Sequence, residues 1–462
     1  MSKFQPVIRQ PLVVGVIAFL AVVVVAAVVV PIVIVTGSHA PAARSPVAAS
    51  SAPSSSAAGA AGAWKVGSRE VPQYDHGIDS WVVGDTLVAV NDTSAVAYSR
   101  ADGRQVWQVG PPSGHFCGAS TAVVDNRVAV GFGDLCSSAA LLDLGTGKLL
   151  WHKPMPITSS ASPSEHILDE QAVLEIVGGT VVVAHEGNLI GLDAATGAVR
   201  WSEDTPPADG KVYTNCRAMD GLPRNGAFAL LSTCESVQSY EDRFVAVLVD
   251  PASGKPRQQN EFVKSDSYLA PSWLSASPPI VCLNDTENGS YVFLDDAFKP
   301  VATVPTGPIL TTGLTLSDGF GYNHISHGTS HERSRALVSG TTLVTVTNPQ
   351  RPNSLVALDV RTGAKLWQTP APGGGSVMAP LAVEDGEIVT EVAPPDGGPR
   401  QQVVKFSLAH GTAVPAGAFS ITTSDRNGPD AWTYRFFWAD GHVYGIRGDY
   451  NSYNDAMVFR LG

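Results

Sequence analysis

Basic residues are scarce. There are 30 Lys and Arg against 42 Asp and Glu, a net charge of −12, with no basic cluster beyond the first sixty or so positions. Phosphate binding needs a Lys/Arg footprint, so nucleic acid is excluded as a partner. Cysteine is rarer still: five in 462 residues and none before Cys117, which argues against a lipid-modified amino-terminal cysteine. Helical patterning is also missing. From Gly67 to Gly462 no stretch of about fifteen residues reads as an uninterrupted amphipathic helix; short runs alternating apolar and polar dominate. The nucleophile-elbow pattern Gly-x-Ser-x-Gly is absent, so no hydrolytic site emerges from local motifs; triads are spatial and not sequential. What the chain does have is 45 Gly and 33 Pro spread along its length. They predict many turns in a chain long enough for a large core.

One long apolar run stands apart. Leu12 to Val35 contains 24 residues without a charge, interrupted only by Gly15 and Pro31. About 20 apolar residues span a bilayer as a helix, whereas the apolar part of a cleavable leader is about 7–15 residues long. The length favours an uncleaved transmembrane helix at 12–35 over a leader cut after Ala40. Lys3 and Arg9 precede it and Arg44 follows, so residues 1–11 are expected in the cytoplasm and the bulk outside, on a single-pass cell-membrane protein. Residues 36–63 are rich in Ala, Ser and Pro, cannot bury enough surface to fold, and read as a tether of about 30 Å.

Residues 64–462 repeat. LDLGTGKLLW (Leu142–Trp151) recurs as LDAATGAVRW (Leu192–Trp201) and LDVRTGAKLW (Leu358–Trp367). Looser copies end at Trp107, Gln258 and Pro415. In each, an Asp side chain can accept from amides two or three residues on, and a Gly supplies positive φ. The Trp four positions later is placed to cover a seam between neighbouring sheets. A second hairpin signal precedes each copy, as at Asp125-Asn126 and Asp385-Gly386, so the unit is four strands. Units that cannot bury their apolar faces alone must stack, and four-stranded units in series make a β-propeller. The turn glycines Gly103, Gly147, Gly197, Gly254, Gly363 and Gly411 leave one double gap of 109, which holds a copy at Leu294–Lys299 that has lost its Gly. A last set of strands after Ser420 lacks its fourth member, and Trp64-Lys65-Val66 is expected to supply it. The expectation is an all-β, eight-bladed propeller closed by the two chain ends; seven blades is the alternative. Trp64, Trp107, Trp151, Trp201 and Trp367 are the expected blade-docking residues.

The motif Leu-Asp-x-x-Thr-Gly-x-x-x-Trp resembles the pyrroloquinoline-quinone (PQQ) enzyme repeat. That repeat occurs in quinoprotein alcohol dehydrogenases and in the non-catalytic scaffold that assembles barrels in bacterial outer membranes. The dehydrogenase branch implies PQQ held against a disulfide between adjacent cysteines, with calcium and an Asp base. No two cysteines here are adjacent, and neither a calcium set nor a catalytic Asp is matched, so no catalytic, cofactor-binding or metal residue is carried over. The scaffold branch is the better likeness, and the composition resembles that of an actinobacterial envelope protein.

Among other candidates, Cys117 and Cys136 bracket the Asp125-Asn126 turn and Cys216 and Cys234 the Asn225-Gly226 turn. Residues equidistant from a hairpin turn face each other, so each pair is expected to form a disulfide in the oxidising compartment the topology implies. Cys282 reads as a buried thiol. His324, His327, His331 and Glu332 have ligand chemistry but match no metal spacing, and read as a polar loop. Residues 284–289 lack the late bidentate Glu of a calcium loop and read as a hairpin turn. The functional expectation is a membrane-anchored, non-enzymatic scaffold that binds envelope or membrane proteins through rim loops at 213–240 and 311–335, or a small-molecule ligand. The alternatives are a PQQ-dependent dehydrogenase and a ligand-sensing ectodomain working through a partner membrane protein.

Overall fold

The structure is a computed structural model. It describes residues 64–67, 77–157, 172–185, 187–205, 213–236, 242–264, 271–283, 290–305, 336–347, 353–395, 400–420, 434–447 and 456–461. The expected membrane segment, the tether, the histidine cluster and the candidate calcium loop lie outside them. No helix among the described residues is long and apolar enough to cross a membrane.

These residues form eight four-stranded antiparallel sheets, the blades of a propeller, and the seven-bladed alternative is set aside. Seven blades are continuous in sequence, from the sheet starting at Gly77 to the one ending at Ser420. The eighth combines strands Tyr434–Ala439, His442–Arg447 and Ala456–Leu461 with Trp64–Gly67, which pairs as its outermost strand with Trp64 opposite Arg460.

Burial within a blade follows position. The second and third strands are covered on both faces by neighbouring blades, so they read as continuous aliphatic runs: TVVVAH at Thr180–His185 is buried throughout, and SLVALD at Ser354–Asp359 nearly so. The outermost strands alternate, as KLWQTP at Lys365–Pro370 does, because only one face meets another blade. Between the third and outermost strands the register shifts by a β-bulge in every continuous blade, for example between Leu141 and Leu142 and between Ala357 and Leu358. In the blades whose turn begins with Asp the bulge sits just before that residue, where extra twist is needed to carry the strand round.

The core is a ring of face-to-face clusters between blades. Val128, Val130, Ala140 and Leu142 of blade 2 pack on Val88, Val90 and Ala97 of blade 1. Val245 and Val247 of blade 4 pack on Val182 and Ala184 of blade 3.

The lost-glycine turn of blade 5 is one residue tighter than its relatives. Asp295 N–H bonds Lys299 O, whereas Asp193 N–H bonds Ala198 O. Phe298, not Lys299, takes the left-handed conformation (φ 60°), and its ring is fully buried. Burying that ring offsets the backbone strain of a non-glycine residue there.

Candidate functional site

The alternating strand direction sends the hairpin turns and the Asp-x-x-Thr-Gly turns to one rim. The second-to-third-strand connections and the blade-to-blade connections go to the other. The two rims differ in construction.

The turn rim is short and riveted. Asp143 Oδ1 accepts from Thr146 N–H and Thr146 Oγ1, both at 2.8 Å, and Asp193 and Asp359 repeat the arrangement. Hydrogen bonds from Arg200 and then Thr196 hold the Asp193 carboxyl below its usual range, and those from Thr362 do the same for Asp359. Each tryptophan reaches across to the next blade. Trp107 Nε1–H donates to Leu144 O (3.2 Å), Trp151 to Ala194 O (2.9 Å), Trp201 to Pro251 O (2.9 Å) and Trp367 to Leu408 O (2.9 Å). The acceptor is always the residue after the first position of the neighbour's turn, and the indole lies against that turn's glycine.

Trp64 does the same across the closing seam, donating to Arg100 O at 3.0 Å. Arg460 adds a bond to the same oxygen at 3.0 Å, and Arg100 pairs with Asp440.

Sequence reasoning missed Gln258. It stands where blade 4 should have its tryptophan, and its Nε2–H donates to Asp296 O at 2.8 Å, the equivalent acceptor in blade 5. Arg224, stacked 4.8 Å from the Phe298 ring and bonded to Asp296, strengthens that seam. The looser LDxxTG match around Gly254 gave position but no hint of the substitution.

Inner strands carry a second set of interblade bonds. Trp81 Nε1–H donates to Thr121 O (3.1 Å), while Glu175 of blade 3 accepts from Thr121 N–H (2.9 Å). Asp220 of blade 4 accepts from Trp273 N–H of blade 5 (2.7 Å). These buried carboxylates are structural clamps.

The opposite rim carries the longer connections, with 18 residues between the strand ends Pro154 and Val173 and 30 between Pro305 and Ala336. It is also where both disulfides lie. Cys117–Cys136 ties the start of blade 2's inner strand to the connection after its second strand. Cys136 therefore sits in a turn beyond the strand and does not face Cys117 across the hairpin as expected; a Cα separation of 5.8 Å is reached because the chain doubles back through Leu135 and Cys136, both with positive φ. Cys216–Cys234 does link two paired strands, at a bulge between Thr214 and Arg217. Cys282 is buried and outside both bonds.

The expected rim loop at 213–240 is largely strand. Tyr213–Arg224 and Ala227–Ser236 form a hairpin of 12 and 10 residues, longer than the strands of most other blades. Its alternation was masked by Gly221, Pro223 and the bulges.

Two buried ionisable groups beneath this rim are unlike the clamps. His185 is 1 % exposed with neither ring nitrogen bonded, and burial lowers its pKa to about 4. Glu391 is fully buried with neither carboxylate oxygen bonded, and burial raises its pKa well above the usual range. No group of three His, Cys, Asp or Glu able to hold a metal occurs among the described residues. Neither disulfide joins adjacent cysteines, so the quinone-holding arrangement implied by the dehydrogenase branch does not fit this chain.

The family described as outer membrane protein assembly factor BamB matches residues 56–224. Among solved structures, BamB from Moraxella catarrhalis is 14 % identical, with a TM-score of 0.46, over 83 % of this chain and 95 % of that one. Quinohemoprotein alcohol dehydrogenase from Comamonas testosteroni is 13 % identical, with a TM-score of 0.49, over 86 % and 75 %. The computationally designed Ika8 protein is 12 % identical, with a TM-score of 0.48, over 85 % and 97 %. No curated protein matches the sequence.

Proposed function

We propose that this PQQ-like β-propeller repeat protein is a membrane-tethered, extracytoplasmic scaffold that binds other envelope proteins on the rim carrying its long connections. The observation that supports this reading is the contrast between the rims. One is made of tight turns whose polar groups are used up in holding blades together. The other combines long connections with two disulfides that brace chain segments on rigid sheets, and loops held on a rigid scaffold are the usual construction of a binding surface. Leu135 illustrates the point. It is apolar and 48 % exposed, and it sits on the disulfide-braced connection of blade 2.

The test is site-specific photo-crosslinking in intact cells. A crosslinker at Leu135 should trap a discrete partner protein, while one at Gly179 or Gly386 on the turn rim should not. Adducts of equal yield from both rims, or none from Leu135 and neighbouring rim positions, would overturn the reading. Dye-linked alcohol oxidation appearing on addition of PQQ and calcium would replace it with the dehydrogenase alternative.

A further inference from the structure

We propose that Glu391 and Ser376 form a binding site for a primary ammonium group at the seam between blades 7 and 8. The position of Glu391 is the first argument. Counted from the hairpin turn, the same position of the second strand is Val90, Ala184, Leu231, Val346 and Ile446 in other blades, and Gly131 or Leu283 in the remaining two. A repeat that uses an apolar or glycine residue everywhere else places a carboxyl group here, 0 % exposed. Fold requirements do not explain it, because the aliphatic version demonstrably fills the same place.

The second argument is independent. Ser376, on the adjoining inner strand, is 1 % exposed and its hydroxyl also lacks a partner. Ser376 pairs with Ala393, two residues from Glu391. Val377 and Val392, the alternate pair, face the core shared with Val344 and Val346 of blade 6. Side chains alternate along strands, so Ser376 and Glu391 share the opposite face, turned towards blade 8. Diagonal neighbours on a sheet have Cβ atoms about 7–8 Å apart, enough for one nitrogen between a carboxylate and a hydroxyl.

Three acceptors stand without donors: both Glu391 carboxylate oxygens and Ser376 Oγ. A primary ammonium offers three N–H donors and one positive charge. Water offers two donors and no charge, and leaves a buried carboxylate uncompensated. Full burial restricts the ligand to an ammonium on a narrow chain, an alkylammonium. Burial raises the Glu391 pKa, and a bound cation beside the carboxylate favours its charged form, so uptake of the cation drives proton release and not proton uptake.

The experiment titrates the full chain with n-butylammonium, using tetramethylammonium, which has no N–H donor, at matched ionic strength. Isothermal calorimetry at pH 7 in two buffers of different ionisation heat gives binding and proton release together. The expected result is saturable binding of butylammonium alone, with net proton release and not uptake. Glu391→Gln, which keeps the shape but not the charge, should abolish it. Ser376→Ala should weaken it about tenfold, the equivalent of one hydrogen bond to a charged group. If Glu391→Gln fails to fold, the Ser376→Ala comparison decides. Equal responses to the two cations, or unchanged binding in the variants, would sink the proposal. Since the site lies inside the ring, its failure leaves the partner-binding reading of the rim untouched.

Discussion

Replacing Gly147 by alanine tests the rivet directly. Gly147 has φ 69° and Trp107 of the preceding blade lies over it, so an added Cβ would fall 2.6 Å from the indole. Two costs follow. An L-residue in the left-handed region pays about 1–2 kcal/mol. The indole must also withdraw, which loses its 3.2 Å bond to Leu144 O, worth about 0.5–1.5 kcal/mol, along with contact area. The expected loss is about 2–4 kcal/mol. Gly386→Ala is the control: φ is 77° but nothing lies within 4 Å of the added Cβ, leaving only the backbone term of about 1–2 kcal/mol. Urea denaturation of both variants measures the difference. Repeating Gly147→Ala in a Trp107→Ala background should shrink its cost to that of Gly386→Ala. Equal losses for the two glycines, or a difference that survives removal of Trp107, would refute the interblade role of the indole.

Gln258→Leu should cost about 1–2 kcal/mol by leaving Asp296 O without its donor; a cost near zero in urea denaturation would mean that Arg224 alone holds the seam. Stability should fall on acidification from pH 6.5 towards 4, because the folded state refuses His185 a proton the unfolded chain accepts. The lost contribution is about 3 kcal/mol for a shift of this size, and His185→Leu should flatten that part of the pH–stability curve; an unchanged curve would exclude His185 as its source. Cys216→Ser with Cys234→Ser opens a loop of 18 residues and should lower stability by about 3 kcal/mol, read as a lower urea midpoint than that of the parent under oxidising conditions but an equal one under reducing conditions.

Much of the fold was legible because the propeller writes its period into the sequence. The Asp and Gly of the turn answer a local backbone demand, so they survive in nearly every copy and allow blades to be counted. The contribution of Trp64 could be guessed for the same reason, since a missing fourth strand and a spare strand with a tryptophan are both visible locally. The substitutes were not legible. Gln258 and Arg224 act on a carbonyl in a neighbouring blade, and no pattern within their own repeat reports that partner. Phe298 escaped because its turn lost one residue, which shifted the left-handed position by one. The first disulfide was paired correctly on an imperfect premise, as the doubling back at Leu135 depends on two positive φ angles that no residue type there announces. Glu391 and His185 look like ordinary polar residues in sequence; only the burial of their strands on both faces makes them unusual.

Strand Trp64–Gly67 has a consequence for how the molecule is made. Trp64 pairs with Arg460, 396 positions away, so the strand has no mate until the last strand of the propeller has been made. During that wait its backbone N–H and C=O groups stand without ladder partners, open to strands of other chains. Closing so distant a contact is slow, and the final assembly step is therefore the moment at which misjoined dimers would arise.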